Sequence, residues 1–337
     1  MDILNKVKPK VAIEKSTESE NINDLKKIAE VITFDPYSPY PEIAEIIRDA
    51  VAIVSTKVKL SGEALETARN LKIIARTGVG VDETRIDLTI AKKKGILITY
   101  NPGVNSVSVA ELTIMVALAL LRGVFVKTKL VKEGMWKEGQ QSKGRRLNGM
   151  KWGIVGFGNI GQRLTEILRS MNVTVLVDDP YLSKWFIESK GCTSVGLDRL
   201  LMESDIVSLH LPLIKKEASS AHSMKATYHI IGEREISLMK KGSILINVAR
   251  GGIVDENALL DALREGKLSG AGLDTLETEP LPANSPLLSL ENLIVTPHIG
   301  GSTDMDLHSG AFGAIEEVIR FLRGEPPIHP FRMDDAS

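Results

Sequence analysis

Short apolar runs of β type recur along the chain with helical stretches between them. Over residues 10–100 the runs read KVAIE, VITF, VAIVS, LKIIA and ILITY, separated by helical stretches such as Pro41 to Ala50 and Gly62 to Arg69. Strand and helix in alternation predict a parallel sheet with helices on both faces. At Lys151 the alternation starts afresh with WGIVG, VTVLV, DIVSLH, SILINV, SGAGLD and NLIVT. The pattern therefore predicts an α/β fold of two doubly wound parallel-sheet domains in series. A last helix over Asp304 to Arg323 follows the final strand and is too short for a third domain. It is expected to return to the first domain, which makes that domain discontinuous. Neither a solenoid repeat nor a low-complexity tract interrupts the pattern.

One run breaks the alternation. Leu112 to Leu121 is apolar except for Thr113 and is stopped by Glu111 and Arg122. A bilayer needs about 20 such residues, so this is a buried helix. Ser108-x-x-Glu111 has the form of a capping box and predicts the helix start there. A helix apolar on every face must be covered on every face, either by a second subunit or by the chain's own packing.

Composition adds limits. A chain of 337 residues exceeds the usual range of one hydrophobic core. Lys plus Arg number 42 against 43 for Asp plus Glu, a net charge of −1, so no basic field is available for nucleic acid or an anionic membrane. Small molecules and other subunits are the expected partners. The single cysteine, Cys192, cannot form an intramolecular disulfide, and MDILNKVKPK has no apolar signal core, so a cytoplasmic location is expected. Cys192 itself reads as a structural residue.

The second alternating region opens with Gly156-x-Gly158-x-x-Gly161. Such glycines also mark ordinary turns, but three features raise the motif above that. It follows the apolar strand Trp152 to Val155, it opens a helix over Ile160 to Ser170, and the next strand ends in Asp178-Asp179. The helix N-terminus can receive a pyrophosphate, and Gly158 lets the backbone approach it. Asp179 lies 18 residues beyond Gly161, where the acid that accepts the ribose hydroxyls belongs. A carboxylate there repels a 2′-phosphate and no arginine follows it, so NAD is favoured over NADP; Lys184 is the one residue that would overturn this.

Oxidising an alcohol with a nicotinamide needs a proton acceptor and a cation for the substrate's anionic group. Of six histidines, five lack useful context: His210 ends a strand, His222 and His229 lie in a polar stretch, His308 in the last helix has no matching acid in view, and His329 is in the Pro-rich tail. His298, in IVTPHIGGST, sits at the C-terminal end of a strand, where ligands of open α/β sheets collect. Arg250 ends ILINVARGG, and GAGLDTLETEP carries Asp274 and then Glu279. Three ionisable strand ends point to one rim.

NVARGGIVDENAL, GLDTLETEP and TPHIGGS resemble the signature segments of the D-isomer-specific 2-hydroxyacid dehydrogenases, and RTGVGVDETRID and NPGVNSVSVAELT resemble that family's N-terminal substrate segments. The resemblance runs from about Val11 to Arg323. It implies a flavodoxin-like substrate domain of residues 1–105 and 302–337, an NAD-binding Rossmann domain of residues 106–301 inserted within it, and an active site in the cleft between them. It implies His298 as acid/base, Glu279 bonded to the far ring nitrogen, and Arg250 on the substrate carboxylate. A carboxylate beside an imidazole favours its protonated form, and a planar guanidinium suits a carboxylate better than an ammonium does. Amides at Val79 and Gly80 would bind the other carboxylate oxygen. On the cofactor side the resemblance assigns Gly156, Gly158, Asn159, Ile160 and Gly161 to the pyrophosphate, Asp179 to the ribose, and Leu211 with Pro212 to the adenine pocket. Val248, Asp274, His298 and Gly300 fall on the nicotinamide side. No metal is expected.

One stretch departs from that pattern. LIKKEASSAHSMKATYHIIGER is about ten residues too long, which predicts a surface loop near residues 215–226. The family's phosphoglycerate enzymes carry an arginine where this chain reads VAIVSTKVKLSG, so Lys57, Lys59 and Arg76 are the cations left for a phosphate. The expected substrate is a small 2-hydroxy or 2-oxo acid of the phosphoglycerate, hydroxypyruvate or glyoxylate class. A non-enzymatic, corepressor-like NAD(H) sensor on the same fold is the alternative, and a relative of formate or phosphite dehydrogenases a weaker one. No appended regulatory domain is expected, and the family's habit predicts a homodimer through the NAD domain.

Overall fold

In a computed structural model of the chain, residues 8–17, 19–81, 85–214 and 225–332 are described. The chain divides into two compact units, residues 1–105 with 301–336 and residues 106–300 with 337.

The first unit is built on strands β1 (Lys10–Glu14), β2 (Glu30–Phe34), β3 (Ala52–Ser55), β4 (Ile73–Arg76) and β5 (Leu97–Thr99). All pair in parallel in the order β2-β1-β3-β4-β5, the doubly wound order of flavodoxin-like sheets. Buried on both faces, β3 and β4 are apolar without alternation up to their last residues, Ser55 and Arg76. Ile43, Ile47, Leu60, Leu65 and Ile74 fill one side. On the other, the helix Asp304–Arg323 brings Ala314, Ile315, Val318 and Ile319 against Val11, Ile13 and Val54. The chain after this helix is more than a polar tail. Glu317, 2% exposed, accepts the amides of Ile328 and His329, and Phe331 donates its amide to Ile98 at 2.8 Å, so the tail bridges the edge of β5.

The second unit has strands β6 (Lys151–Val155), β7 (Thr174–Asp178), β8 (Thr193–Ser194), β9 (Ile206–Leu209), β10 (Ser243–Asn247), β11 (Leu268–Leu273) and β12 (Leu293–Val295). They run parallel in the order β12-β11-β10-β9-β6-β7-β8, with the order reversing between β6 and β9. Crevices for ligands open at such switch points, outside the carboxyl ends of the strands. Six of the seven strands follow the apolar runs; β8, only Thr193 and Ser194, has none to announce it.

One expectation for the apolar helix needs correction. The helix spans Ser106–Arg122, so Ser108 lies inside the first turn and not ahead of it. Its burial is one-sided: Val109, Ala110, Val116, Ala117 and Leu121 pack in the core, whereas Val107, Glu111 and Met115 are exposed. An apolar composition hid the stripe, because Met and Val on the outer face read like core residues. No single described helix is long and apolar enough to cross a membrane; this helix and Val124–Lys132 pass only as a pair bent by 59°. The loop expected near 215–226, with His222, falls on residues 215–224, outside the described residues. On its C-terminal shoulder Lys225 donates its amide to the Tyr181 hydroxyl at 2.7 Å, and the Thr227 hydroxyl is bonded to Pro212 and Ile214.

Candidate active site

Both histidine-bearing chemistry and the glycine motif fall at the carboxyl edge of the second unit's sheet. After β6 the chain turns at Gly156, where φ is +90° and a Cβ would stand 2.5 Å from the His210 carbonyl oxygen beyond β9. A Cβ on Gly161 would meet the Gly156 carbonyl at 2.6 Å, so only glycine lets the helix Asn159–Ser170 seat on its own strand. Around Gly158, the N-cap, a Cβ would touch nothing within 4 Å. An open backbone at a helix N-terminus, with Asn159 and Ile160 in its first turn, is the surface a pyrophosphate needs. Asp179 closes the far side: its carboxylate accepts the amides of Phe157 at 2.8 Å and Tyr181 at 3.0 Å. Burial, with the Asp179 charge beside it, raises the Asp178 carboxyl above its ordinary range. Lys184 is exposed and pairs with Glu188 at 3.7 Å. Leu211 is half-buried and Pro212 exposed, just past β9. These residues fit a dinucleotide.

The second half of the rim is assembled from the ends of β10, β11 and β12. Glu279 Oε2 lies 3.0 Å from His298 Nδ1, while its Oε1 accepts the Leu276 amide at 3.1 Å. The imidazole is thus anchored by Nδ1, which leaves Nε2 for chemistry. Both side chains are more than a third exposed. His298 adopts φ of +55°, a left-handed conformation that a residue with a Cβ holds only when its surroundings impose it. The imposing group is Asp274, 2% exposed, which accepts the Thr296 hydroxyl at 2.6 Å and the amides of Ile299 and Gly300 at 2.8 Å each. The Asp274 carboxylate therefore ties down the turn that carries His298.

Arg250 is half-buried at the turn after β10. Asn247 shapes that turn, donating from Nδ2 to the Arg250 carbonyl at 2.8 Å and accepting the Ala249 amide at 3.1 Å. Val248, between them, is buried. At Gly251 a Cβ would lie 1.8 Å from the Leu276 carbonyl oxygen. The Arg250 turn is thus pressed against the same residue whose amide bonds Glu279. The sequence alone does not single out Asn247, Gly251 and Thr296; the signal for Gly251 is that ARGG carries two glycines, of which the turn's positive φ requires only Gly252.

Three of the other histidines have partners that only the fold brings to them. His229, in the polar stretch, has φ of +51°, stacks on Tyr228 at 3.9 Å and bonds Glu277 at 2.8 Å. Its amide donates to Gly252, so it braces the Arg250 turn from behind. His308 does have an acid: Glu20, 288 residues away in sequence, lies 2.5 Å from its Nε2. His210 places Nε2 on the Ser208 hydroxyl at 2.9 Å, and its buried Nδ1 is without a partner among the described residues. Burial lowers its pKa to about 3. Cys192 is buried in the core, which pushes its thiol up, and its Sγ lies 3.7 Å from the Thr165 hydroxyl. Val79 and Gly80, half-buried, follow β4 in the first unit. Among the described residues no cluster of three or more metal-ligating side chains occurs.

Residues 114–300 match the family model described as D-isomer specific 2-hydroxyacid dehydrogenase, NAD binding domain. The chain is 37% identical over 318 residues to a D-3-phosphoglycerate dehydrogenase of Methanocaldococcus jannaschii, covering 94% of this chain and 58% of that protein. It thus spans little more than half the length of that relative. It is also 37% identical over 330 residues to a glyoxylate reductase of Thermococcus litoralis, covering 95% of this chain and 96% of the relative. Among solved structures, D-lactate dehydrogenase from Aquifex aeolicus, complexed with NAD and lactic acid, superposes with a TM-score of 0.77 at 32% identity over 94% of this chain and 96% of that one. With a rim of Arg250, Glu279 and His298 beside a dinucleotide loop, and with these likenesses over nearly its whole length, the chain belongs to the D-isomer specific 2-hydroxyacid dehydrogenase family.

Proposed function

We propose that this chain is an NAD-dependent 2-hydroxyacid dehydrogenase acting on a small acid of the glyoxylate or hydroxypyruvate class. The observation that carries the reading is the His298–Glu279 pair at 3.0 Å, packed through Leu276 and Gly251 against the Arg250 turn. Bound NADH supplies a hydride to the 2-oxo carbon. Arg250 holds the substrate carboxylate and polarises the carbonyl, and amides at Val79 and Gly80 take the other carboxylate oxygen. His298 Nε2 gives a proton to the carbonyl oxygen during reduction and takes it back during oxidation, while Glu279 stabilises the imidazolium. Residues 1–105 with the returning segment serve as substrate domain and the second unit as NAD domain. Gly158, Asn159 and Ile160 receive the pyrophosphate, Asp179 the ribose, Leu211 and Pro212 the adenine, and Val248, Asp274 and Gly300 the nicotinamide. A carboxylate at Asp179, with Lys184 turned to Glu188, selects NAD over NADP.

Assembly as a homodimer through the second unit is part of the reading. Its helices Val124–Lys132 and Trp136–Gln141 contain no buried residue, yet expose Val124, Phe125, Val131 and Trp136. NAD(H) chemistry and a buried lone thiol accord with a reducing cytoplasm.

The test is NADH oxidation on adding glyoxylate, hydroxypyruvate, phosphohydroxypyruvate or pyruvate. Turnover is expected, and His298→Ala lowers kcat by about 10² or more with NADH affinity unchanged. NADH bound but no 2-oxo acid reduced would overturn the enzyme and leave a sensor.

A further inference from the structure

Within the first unit, one buried carboxylate has no ion pair among the described residues. Glu14, the last residue of β1, is fully buried. It accepts the amides of Thr56 at 2.9 Å, Lys57 at 2.9 Å and Val58 at 3.3 Å, and the Ser16 hydroxyl at 2.9 Å. Every partner is a donor, the set that an acceptor-only carboxylate takes. Three successive amides turned on one anion form a nest of the kind that elsewhere holds a phosphate or carboxylate ligand. Here the anion belongs to the chain.

The loop so held is coupled to its neighbour. The Thr56 and Thr77 hydroxyls are 2.5 Å apart, and the Arg76 guanidinium bonds Ser55 Oγ at 3.1 Å and the Thr56 carbonyl at 2.6 Å. Residues 55–58 and 76–77 are therefore tied together at the carboxyl edge of β3 and β4, directly ahead of Val79 and Gly80. The same contacts engage one of the three cations named for a phosphate, Arg76, whereas Lys59 is exposed. Arg76 is only 4% exposed and committed to the loop, and Lys57 Nζ lies 5.5 Å from the centre of the Tyr37 ring.

Resting on the function proposed above, we infer that Glu14 is a positioning residue that sets substrate class. Its carboxylate fills the nest beneath residues 56–58, fixes that loop for a 2-oxo acid with a small uncharged substituent, and withholds the amides from a second anionic group such as a phosphate.

The experiment compares kcat/KM for hydroxypyruvate and phosphohydroxypyruvate, with amide hydrogen exchange at residues 56–58, in wild type, Glu14→Gln and Thr56→Val. Wild type is expected to favour the unphosphorylated acid by about tenfold or more. In Glu14→Gln an NH₂ group faces amide donors. Exchange at 56–58 accelerates, KM for hydroxypyruvate rises with kcat and the KM for NADH little changed, and the preference narrows by about tenfold. Thr56→Val keeps the nest and cuts the tie to Thr77, so KM rises for both acids and their ratio stays. A wild type that prefers the phosphorylated acid, or a Glu14→Gln protein with unchanged ratio and exchange, would overturn the inference. Should Glu14→Gln fail to fold, the wild-type ratio and the protection of the three amides decide. Absence of turnover on every 2-oxo acid refutes the proposed function alone, because exchange at 56–58 reads the nest without substrate.

Discussion

His210 shows how one side chain can tie the dinucleotide loop to acid stability. Its carbonyl closes on Gly156, its Nε2 bonds Ser208, and Ser208 in turn accepts the Trp152 indole N–H at 2.8 Å. Burial holds the imidazole neutral down to about pH 3, whereas an unfolded histidine takes its proton near its ordinary value of about 6.5. Between those values the unfolded chain binds a proton that the folded chain refuses, so this contribution to stability is complete above about pH 6.5 and declines as pH falls toward 3. His210→Gln removes the titration. Urea midpoints of wild type and variant are expected to run parallel above neutrality and converge or cross below pH 6. A constant gap over the whole range would show that the ring's burial has no such consequence.

At the scale of elements, the rim depends on how tightly three strand ends are pressed together. Gly251→Ala places a methyl 1.8 Å from the Leu276 carbonyl oxygen, so the Arg250 turn and the Glu279 loop must separate. A loss of about 1–3 kcal/mol in thermal unfolding is expected, with a fall in kcat of about 10² because Arg250 and His298 lose register. Full activity in a folded Gly251→Ala would mean that the two loops need not touch. Strand ends of this kind are legible in sequence wherever an apolar run stops at an ionisable residue, as at Arg250 and before His298. What holds them is not: Gly251 meets Leu276, His229 meets Glu277 and Thr296 meets Asp274 only after folding. Glu14 is the extreme case, since a lone glutamate at the end of an apolar strand reads like any solvated end. The helix start was misplaced for a related reason. Ser106 and Ser108 both suit a helix N-terminus, and the Glu111 that completes a capping pattern follows the wrong one.

For the whole molecule, the proposed dimer makes a direct prediction. Phe125 is 56% and Trp136 63% exposed, on helices without a buried residue. Phe125→Glu with Trp136→Glu is expected to turn a dimer into a monomer in sedimentation or light scattering, with the fold retained; a dimer that survives both places the interface elsewhere. The first unit carries a different consequence, one of timing. Its sheet is finished within the first hundred residues, but the helix Asp304–Arg323 that buries Val11, Ile13 and Val54, and the tail that Glu317 pins to β5, are read out some two hundred residues later. On a ribosome the second unit is complete before the first can close. A half-covered sheet of aliphatic residues must then wait for the helix that covers it, and for that interval its apolar face is open to misassembly.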